Sequence, residues 1–210
     1  MAVKQDLQKA LKELRKEKER NFDQTVDLII NLRKIDVKKT PVNLFTRVPH
    51  KIRDKKIAAF LETKNNNIDT ITPNEFKKYS DKKEIRKISR KYDFFIAEAK
   101  LMPSVAKTFG RFLGPAGKMP SPQLGIIRGN VNDDIIEDLK KQINKSVKHK
   151  AKEASIKLPI GKQSMDDSVL MDNIMAIFNA VVKELPGGKE NIKNVEVKFT
   201  MTKPQKIQLR

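Results

Sequence analysis

The sequence FGRFLGPAGKMPSPQLG occupies residues 109–125 and is the most distinctive stretch of this chain. It contains four of the chain's 8 glycines and three of its 10 prolines. Five basic residues and no acidic residue lie in the longer segment 100–128. Glycine frees the backbone, proline fixes turns, and unopposed positive charge attracts anions. The stretch therefore predicts an ordered loop that can lie close to an anionic partner.

A phosphate-binding P-loop is one alternative for this stretch, because Gly117 and Lys118 are adjacent. That motif also needs a Gly five residues before the Gly-Lys pair and a Ser or Thr directly after it. Here those positions hold Phe112 and Met119, so both requirements fail. A P-loop-like enzyme would predict nucleotide binding that Lys118→Ala abolishes.

Charge dominates the composition of the 210-residue chain, which has 45 Lys and Arg against 26 Asp and Glu, a formal net charge of +19. Such an excess predicts an anionic partner: RNA, DNA or an acidic membrane. Apolar residues make up 38% of the chain, which is enough for a core. No segment approaches the roughly 18 consecutive apolar residues of a membrane span. The lack of cysteine excludes disulfides and thiolate catalysis and is consistent with a soluble protein of the reducing cytosol.

Both ends of the chain have the same character, with strands that are apolar on one side only. Alternation predicts strands at 25–32, 42–48, 156–160 and 195–201, and a last short strand near 207–209. Amphipathic periodicity predicts one helix at 3–19 and another that begins at Ser164 or Asp166 and ends at Pro186. A sheet covered on one face by two helices is the two-layer solution for such segments.

The middle of the chain has a different pattern. Short, almost continuously apolar runs at 57–61 and 94–97 are typical of strands buried on both faces. Helices are predicted to start at Thr72 and Pro73 and to occupy 103–112 and 132–150. This alternation predicts an inserted three-layer, Rossmann-like α/β domain at 51–154. Residues 1–50 and 155–210 would then form one discontinuous two-layer α/β sandwich, joined to the insert by a hinge near Pro49 and Ala154.

Basic side chains predominate on the strand faces that the two helices leave uncovered. The residues assigned to these faces are Arg47, Lys157, Lys198, Lys206 and Arg210, with one acid, Glu196. The excess favours an anion-binding face. With 10 Phe, 2 Tyr and no Trp, extensive base stacking is not expected. Folded RNA recognised through its backbone, its shape and its 2′-hydroxyls is the favoured partner.

The sequence contains no pattern typical of an enzyme or a metal site. His50 and His149 are far apart and have no cysteine partners at metal-ligand spacing. The acidic pairs at 133–134 and 166–167 each open a predicted helix, where the macrodipole favours negative charge. We therefore expect no metal, no cofactor and no catalysis.

The run at 110–122 resembles the signature of a large-subunit ribosomal protein family, the L-one family of the mobile stalk beside the tRNA exit site. A Gly-Arg-x-Leu-Gly-Pro-x-Gly-x-Met-Pro-x-Pro run recurs in that family. The matching residues are Gly110, Arg111, Leu113, Gly114, Pro115, Gly117, Met119, Pro120 and Pro122. Similarity at 21–26, 159–164 and 200–202 extends the resemblance to nearly the whole chain. The chain lacks the extended N-terminal segment of bacterial members, so it is identified as a member of archaeal type.

The resemblance implies that three segments converge on ribosomal RNA. The residues expected at that interface are Asn21, Phe22, Thr25, Gly161, Lys162, Ser164, Thr200, Met201 and Thr202, together with the strand residues Lys157 and Lys198 from the charge pattern. A secondary loop that faces RNA or tRNA is expected to use Arg111, Gly114, Gly117 and Lys118. Without the resemblance, Phe22 and Met201 would be assigned to the core.

Two positions depart from the family pattern. Asn21 stands where members commonly have Lys, and Thr202 and Lys203 stand where Gly-Pro usually follows the Thr-Met pair. A glycine after the Thr-Met pair would let backbones approach closely, so the local geometry at Thr202 is the feature for the structure to test.

The implied protein is a cytoplasmic, structural constituent of the large ribosomal subunit that binds folded rRNA of the exit-site stalk. The resemblance further implies that it assists release of deacylated tRNA, represses translation by binding its own mRNA, has no membrane partner and is a monomer when free. The alternative is a general DNA-binding protein. That alternative predicts equal affinity for duplex DNA and folded RNA, with a steep dependence on salt.

Overall fold

The computed structural model describes residues 2–18, 20–36, 42–129, 131–151 and 153–207. The chain divides into two compact units, the first formed by Met1–Arg53 with Lys145–Arg210 and the second by Asp54–Asn144. Among the described helices, none has the length and apolar character that a membrane crossing requires.

Five α-helices and ten strands lie in the described ranges of the two units. In chain order they are α1 (Ala2–Arg15), β1 (Thr25–Leu32), β2 (Asn43–Arg47), β3 (Ile57–Phe60), β4 (Asp69–Ile71), α2 (Lys82–Lys91), β5 (Phe94–Glu98), α3 (Met102–Leu113), β6 (Ile126–Ile127), α4 (Asp133–Asn144), β7 (Ser146–Lys150), β8 (Ser155–Lys162), α5 (Asp167–Glu184), β9 (Ile192–Phe199) and β10 (Gln205–Ile207). Short 3-10 helices occupy Pro73–Ser80, Ala99–Leu101 and Gly188–Asn191.

A four-stranded antiparallel sheet in the order β10-β9-β1-β8 forms one layer of the first unit. Side chains alternate along β1, with the even-numbered residues buried and the odd-numbered ones partly exposed. Helix α1 packs on β9 and β10, and α5 packs on β8. Both helices bury their apolar stripes against the same sheet face, in one core with Leu28 and Val197. The predicted two-layer α/β fold of the chain ends is confirmed.

The segment 132–150 differs from its prediction. We predicted one long helix, but α4 ends at Asn144 and 146–150 forms β7, which pairs with β2 in a separate antiparallel sheet of two strands. Buried Val147 and half-buried His149 alternate with exposed Lys148, which is a strand pattern. The basic residues at 148 and 150 therefore belong to the first unit and not to a helix end.

The second unit contains a parallel sheet in the order β4-β3-β5-β6. All five residues of β5 are buried, as predicted for a strand covered on both faces. Aromatic rings join one face to the helices, since Phe60 stacks on Phe95 at 5.5 Å and lies 5.0 Å from Phe109 of α3. Ile136 and Ile143 of α4 are fully buried as well. The predicted mixed α/β class holds for this unit too.

Two smaller predictions about strand positions need correction, and a third is not tested. The strand predicted at 195–201 ends at Phe199, and residues 200–202 form a turn. Arg47 lies on β2 and is therefore not part of the four-stranded sheet. Leu209 and Arg210 lie outside the described residues.

Candidate nucleic-acid interface

Three segments that are far apart in the sequence meet at one end of the four-stranded sheet. They are 21–25 at the start of β1, 161–165 at the end of β8 and 199–202 between β9 and β10, and together we call them the three-segment cluster. They meet because β1 lies between β8 and β9, both antiparallel to it. The Thr25 amide donates to Oγ1 of Thr200 at 3.1 Å, and that hydroxyl donates to the Thr25 carbonyl at 3.3 Å.

Gln24 connects all three segments and is only 2% exposed. Its Oε1 accepts a hydrogen bond from the Met201 amide at 3.0 Å, and its Nε2 donates to Oε1 of Gln163 at 3.0 Å. The Gln24 carbonyl also accepts from the Gln163 amide at 2.8 Å. A buried amide with both ends paired is stabilising, and it fixes the relative positions of the groups it bonds.

Asp23, on the surface, is hydrogen-bonded to the segment that follows β8. Its two carboxylate oxygens accept hydrogen bonds from the amide and the hydroxyl of Ser164, both at 3.0 Å. Nζ of Lys162 donates to the Asp23 carbonyl at 3.2 Å and stays partly exposed. The Ser164 hydroxyl, predicted to contact RNA, thus donates to Asp23 from an exposed position, and the Lys162 ammonium group retains an accessible charge.

Arg15, near the end of α1, braces the same segment. Its Nε lies 2.8 Å from a carboxylate oxygen of Asp167, and its terminal nitrogens donate to the carbonyls of Gln163 and Met165 at 2.9 and 2.7 Å. This planar fork of donors fixes the backbone of the turn between β8 and α5. The positive charge of Arg15 is thus engaged in contacts within the protein.

The turn after β9 places Thr200 and Met201 at its tip. The Thr202 amide donates to the Phe199 carbonyl at 3.2 Å, and the Phe199 amide donates to Oγ1 of Thr202 at 2.9 Å. Lys34 is the only non-glycine residue with positive φ among the described parts of the chain. Thr202 consequently needs no glycine-like backbone, and its hydroxyl closes the turn where the family usually has Gly.

Two large apolar side chains of the three-segment cluster face solvent. Phe22 is 52% exposed and Met201 is 57% exposed, and Ile135 is the one other large exposed apolar residue in the described ranges. Phe22 and Met201 are therefore not core residues, contrary to the assignment that the pattern alone would give. Exposed apolar groups beside the Lys162 charge suit a partner with flat bases and phosphates.

Gly161 was predicted at the interface but is buried. A Cβ atom there would lie 2.5 Å from Cδ2 of Leu170 and 2.9 Å from Sδ of Met165. The residue therefore allows α5 to approach β8 closely and does not present itself to a ligand. It lies where a β-bulge between Val26 and Asp27 interrupts the register of β1 with β8.

Comparison with known proteins gives the family. Residues 14–203 match the model of the Ribosomal protein L1p/L10e family. The chain belongs to the ribosomal protein L1 family. Similar proteins include the large ribosomal subunit protein uL1 of Nanoarchaeum equitans, 34% identical over 91% of this chain and 94% of the relative, and that of Thermococcus kodakarensis, 34% identical over 98% of both. The uL1 protein of Pyrococcus horikoshii is 35% identical over 94% of this chain and 93% of its own length.

These archaeal relatives identify an archaeal-type L1 protein, and the family is the one that the signature at 110–122 predicted. The L1 family is one of structural ribosomal proteins and not of enzymes.

The Gly- and Pro-rich stretch of this L1-family chain is less open than its composition predicts. Its first five residues complete α3, whose Phe109 and Leu113 are fully buried. Nζ of Lys118 donates to the carbonyls of Ser89 and Tyr92 at 2.6 and 2.8 Å, at the end of α2. The Lys118 ammonium group is thus committed inside the second unit. Of the four residues predicted to face RNA or tRNA here, Arg111, Gly114 and Gly117 are exposed.

The sheet face opposite the helices has more mixed charge than predicted, because Asp27 also lies on it. Asp27 pairs across the strands with Lys198, and Ile29 lies between Lys157 on β8 and Glu196 on β9. Burial raises the pKa of Asp27 above its ordinary value of 3.8, and the positive charge of Lys198 opposes the rise. The charged form of Asp27 is thus penalised in the folded protein.

We expect Asp27→Asn to raise the unfolding temperature at pH 7. A carboxyl with a raised pKa contributes stability below its unfolded pKa and loses it as the pH rises through the folded pKa. The gain over the wild type should therefore disappear as the pH falls below 3.8, the ordinary value. Calorimetry across this pH range measures the effect, with Asp138→Asn on the exposed face of α4 as the matched control. A lower unfolding temperature at pH 7 would mean that the attraction to Lys198 outweighs burial.

Sequence analysis missed the residues that position the interface, namely Asp23, Gln24, Gln163 and Arg15. One signal for Gln24 was available. It stands in phase with the buried residues Val26 and Leu28, so it is a polar side chain at an inward position of the alternation. Buried polar side chains are normally hydrogen-bonded, which marks Gln24 as a structural anchor.

Proposed function

We propose that the chain is a constituent of the large ribosomal subunit that binds folded rRNA of the exit-site stalk through the three-segment cluster. The observation that supports this most directly is the exposure of Phe22 and Met201 on a scaffold braced by buried Gln24. A backbone held in place by such hydrogen bonds needs little further ordering on binding, which favours a partner of fixed shape. Lys157, Lys162 and Lys198 supply phosphate contacts, and the remaining excess of positive charge adds affinity that depends on salt.

We also propose two finer roles. The protein assists release of deacylated tRNA at the exit site, and it represses its own translation because a leader segment of its mRNA presents the same RNA shape. Both roles use a partner that competes for, or approaches, the rRNA site. The free protein is proposed to be a monomer that acts in the cytoplasm as part of the ribosome.

The testing experiment is a salt titration of binding to a stalk fragment of large-subunit rRNA and to duplex DNA of equal length. The wild type is compared with the double variant Thr200→Ala and Met201→Ala. We expect RNA binding to persist at high salt and the variant to bind RNA about tenfold more weakly, which is about 1.4 kcal/mol. DNA binding should change little, because it rests on phosphate contacts alone.

The matched control is the double variant Thr63→Ala and Ile135→Ala, which removes the same kinds of group from exposed positions of the second unit. Equal affinity and equal salt slopes for RNA and DNA, with no effect of the cluster variant, would favour general nucleic-acid binding by charge. The mRNA leader, added as a competitor, should displace the rRNA fragment from the wild type. Deacylated tRNA, as a third probe, should bind the protein–rRNA complex more tightly than the protein alone.

A further inference from the structure

Helix α2 of the second unit has an unusual concentration of positive charge. Six of its ten residues, KKEIRKISRK, are Lys or Arg, and only Glu84 is acidic. Ile85 is its one fully buried residue, and all six cations are exposed to solvent. At 100° per residue these cations span half of the helix circumference, opposite Ile85 and Ile88.

Two of the six cations have acidic partners within the second unit. Nζ of Lys87 lies 2.6 Å from a carboxylate oxygen of Glu84, and Nζ of Lys91 lies 3.7 Å from Asp69 and 4.7 Å from the centre of the Tyr92 ring. The remaining four, at 82, 83, 86 and 90, form what we call the α2 basic face. Arg86 also lies 6.0 Å above the ring of Phe112 on α3, beside exposed Arg111.

The stability of the helix does not account for this charge. Cations stand four residues apart in four overlapping pairs, Lys82 with Arg86, Lys83 with Lys87, Arg86 with Arg90 and Lys87 with Lys91. Like charges at this spacing repel and destabilise a helix. Lys82 and Lys83 also occupy the first turn, where the macrodipole disfavours positive charge. Because these cations destabilise α2, we interpret them as charges that bind a partner.

We propose that the α2 basic face is a second RNA-binding surface, which holds the phosphate backbone of duplex RNA without reading its sequence. The inference rests on the proposed function, since it assumes that RNA is the partner of this chain. A phosphate contact fits better than a base contact because the face consists of Lys and Arg, and the nearest ring, Phe112, is partly buried beneath Arg86. A membrane fits less well because the exposed side of α2 has no apolar residue to insert into lipid.

The test measures the salt dependence of binding to the rRNA stalk fragment for the triple variant Lys83→Gln, Arg86→Gln and Arg90→Gln. Loss of three phosphate contacts should reduce the slope of log K against log salt by about 2–3. The unfolding temperature should stay the same or rise, because the variant removes like-charge repulsion within α2. The matched control, Lys56→Gln, Lys64→Gln and Lys141→Gln, removes the same total charge from exposed positions elsewhere in this unit and should change the slope by less than about 1.

A triple variant with the slope of the wild type, or with the slope of the control, overturns the inference. If the variant at Thr200 and Met201 nevertheless loses affinity, the proposed function stands and only the α2 surface is wrong. If the wild type itself does not prefer the rRNA fragment, both proposals fail. Vesicles of phosphatidylserine and phosphatidylcholine are the last probe. Vesicle binding that the triple variant abolishes, with an unchanged RNA slope, would assign α2 to a membrane instead.

Discussion

Replacing Gln24 with alanine is expected to destabilise the first unit by about 1–3 kcal/mol, the cost of leaving buried hydrogen-bonding groups without partners. The substitution removes the acceptor for the Met201 amide and the donor to Gln163, which lie 177 and 139 residues further along the chain. Since both the turn after β9 and the segment after β8 lose this anchor, we expect RNA affinity to fall about a hundredfold, or about 2.7 kcal/mol. That loss of affinity exceeds the roughly tenfold loss expected for the double variant Thr200→Ala and Met201→Ala.

Two measurements separate the loss of the local hydrogen bond from the loss of RNA affinity. Hydrogen exchange should show lost protection at the Met201 amide, whose acceptor is gone, and RNA titration gives the affinity. Gln205→Ala is the matched control, because it makes the same chemical change at a partly exposed position of β10. If Gln24→Ala binds RNA like the wild type, the three-segment cluster does not need its buried link.

Replacing Gly125 with alanine is expected to destabilise the second unit more than any other single change considered. Its φ is +113°, a conformation that side chains rarely adopt, and strain of this kind costs about 1–3 kcal/mol. An added Cβ would also lie 3.0 Å from the Phe94 ring and 3.1 Å from the Phe95 carbonyl oxygen. Overlap in a packed site costs about 1–3 kcal/mol more.

The measurement is denaturant unfolding followed by tyrosine fluorescence. The chain has 2 Tyr and no Trp, and both tyrosines, at 79 and 92, lie in the second unit. Gly129→Ala is the matched control, because its φ is +122° but no atom lies within 4 Å of the added Cβ. We expect Gly129→Ala to lower the free energy of unfolding by the backbone strain alone, without the cost of steric overlap. Equal losses for the two variants would mean that contact with Phe94 and Phe95 is relieved at no cost.

The local hydrophobic pattern of the sequence predicted those helices and strands that pack along their whole length against one core. The alternation of β1 and the amphipathic period of α5 were sufficient, because every second or every third to fourth residue is buried there. The same reasoning failed at 146–150, where a short polar strand follows directly on a helix. The partner strand β2 lies about a hundred residues earlier, so no local signal decides between helix and strand there.

In the proposed binding surface, too, some residues were predictable from the sequence and others were not. Motif resemblance predicted the tip residues Thr200 and Met201, which are exposed as an interface requires. The contacts that Gly161, Ser164 and Lys118 make within the protein were not predictable, because each depends on a neighbour brought close only by the fold. A charge count likewise overestimated the positive character of the sheet face, since Asp27 was not weighed against Lys198.

The order of the three segments in the chain also sets when the protein can first act. Gln24, which directly precedes β1, is synthesised early, but its hydrogen-bond partners at 163 and 201 come 139 and 177 residues later. At ordinary rates of translation Met201 appears about 10–35 s after Gln24. The second unit ends at Asn144, so all of its residues are synthesised before the last segment of the three-segment cluster. In the binding site proposed above, the three-segment cluster is therefore complete only after residues 163 and 201 have been synthesised.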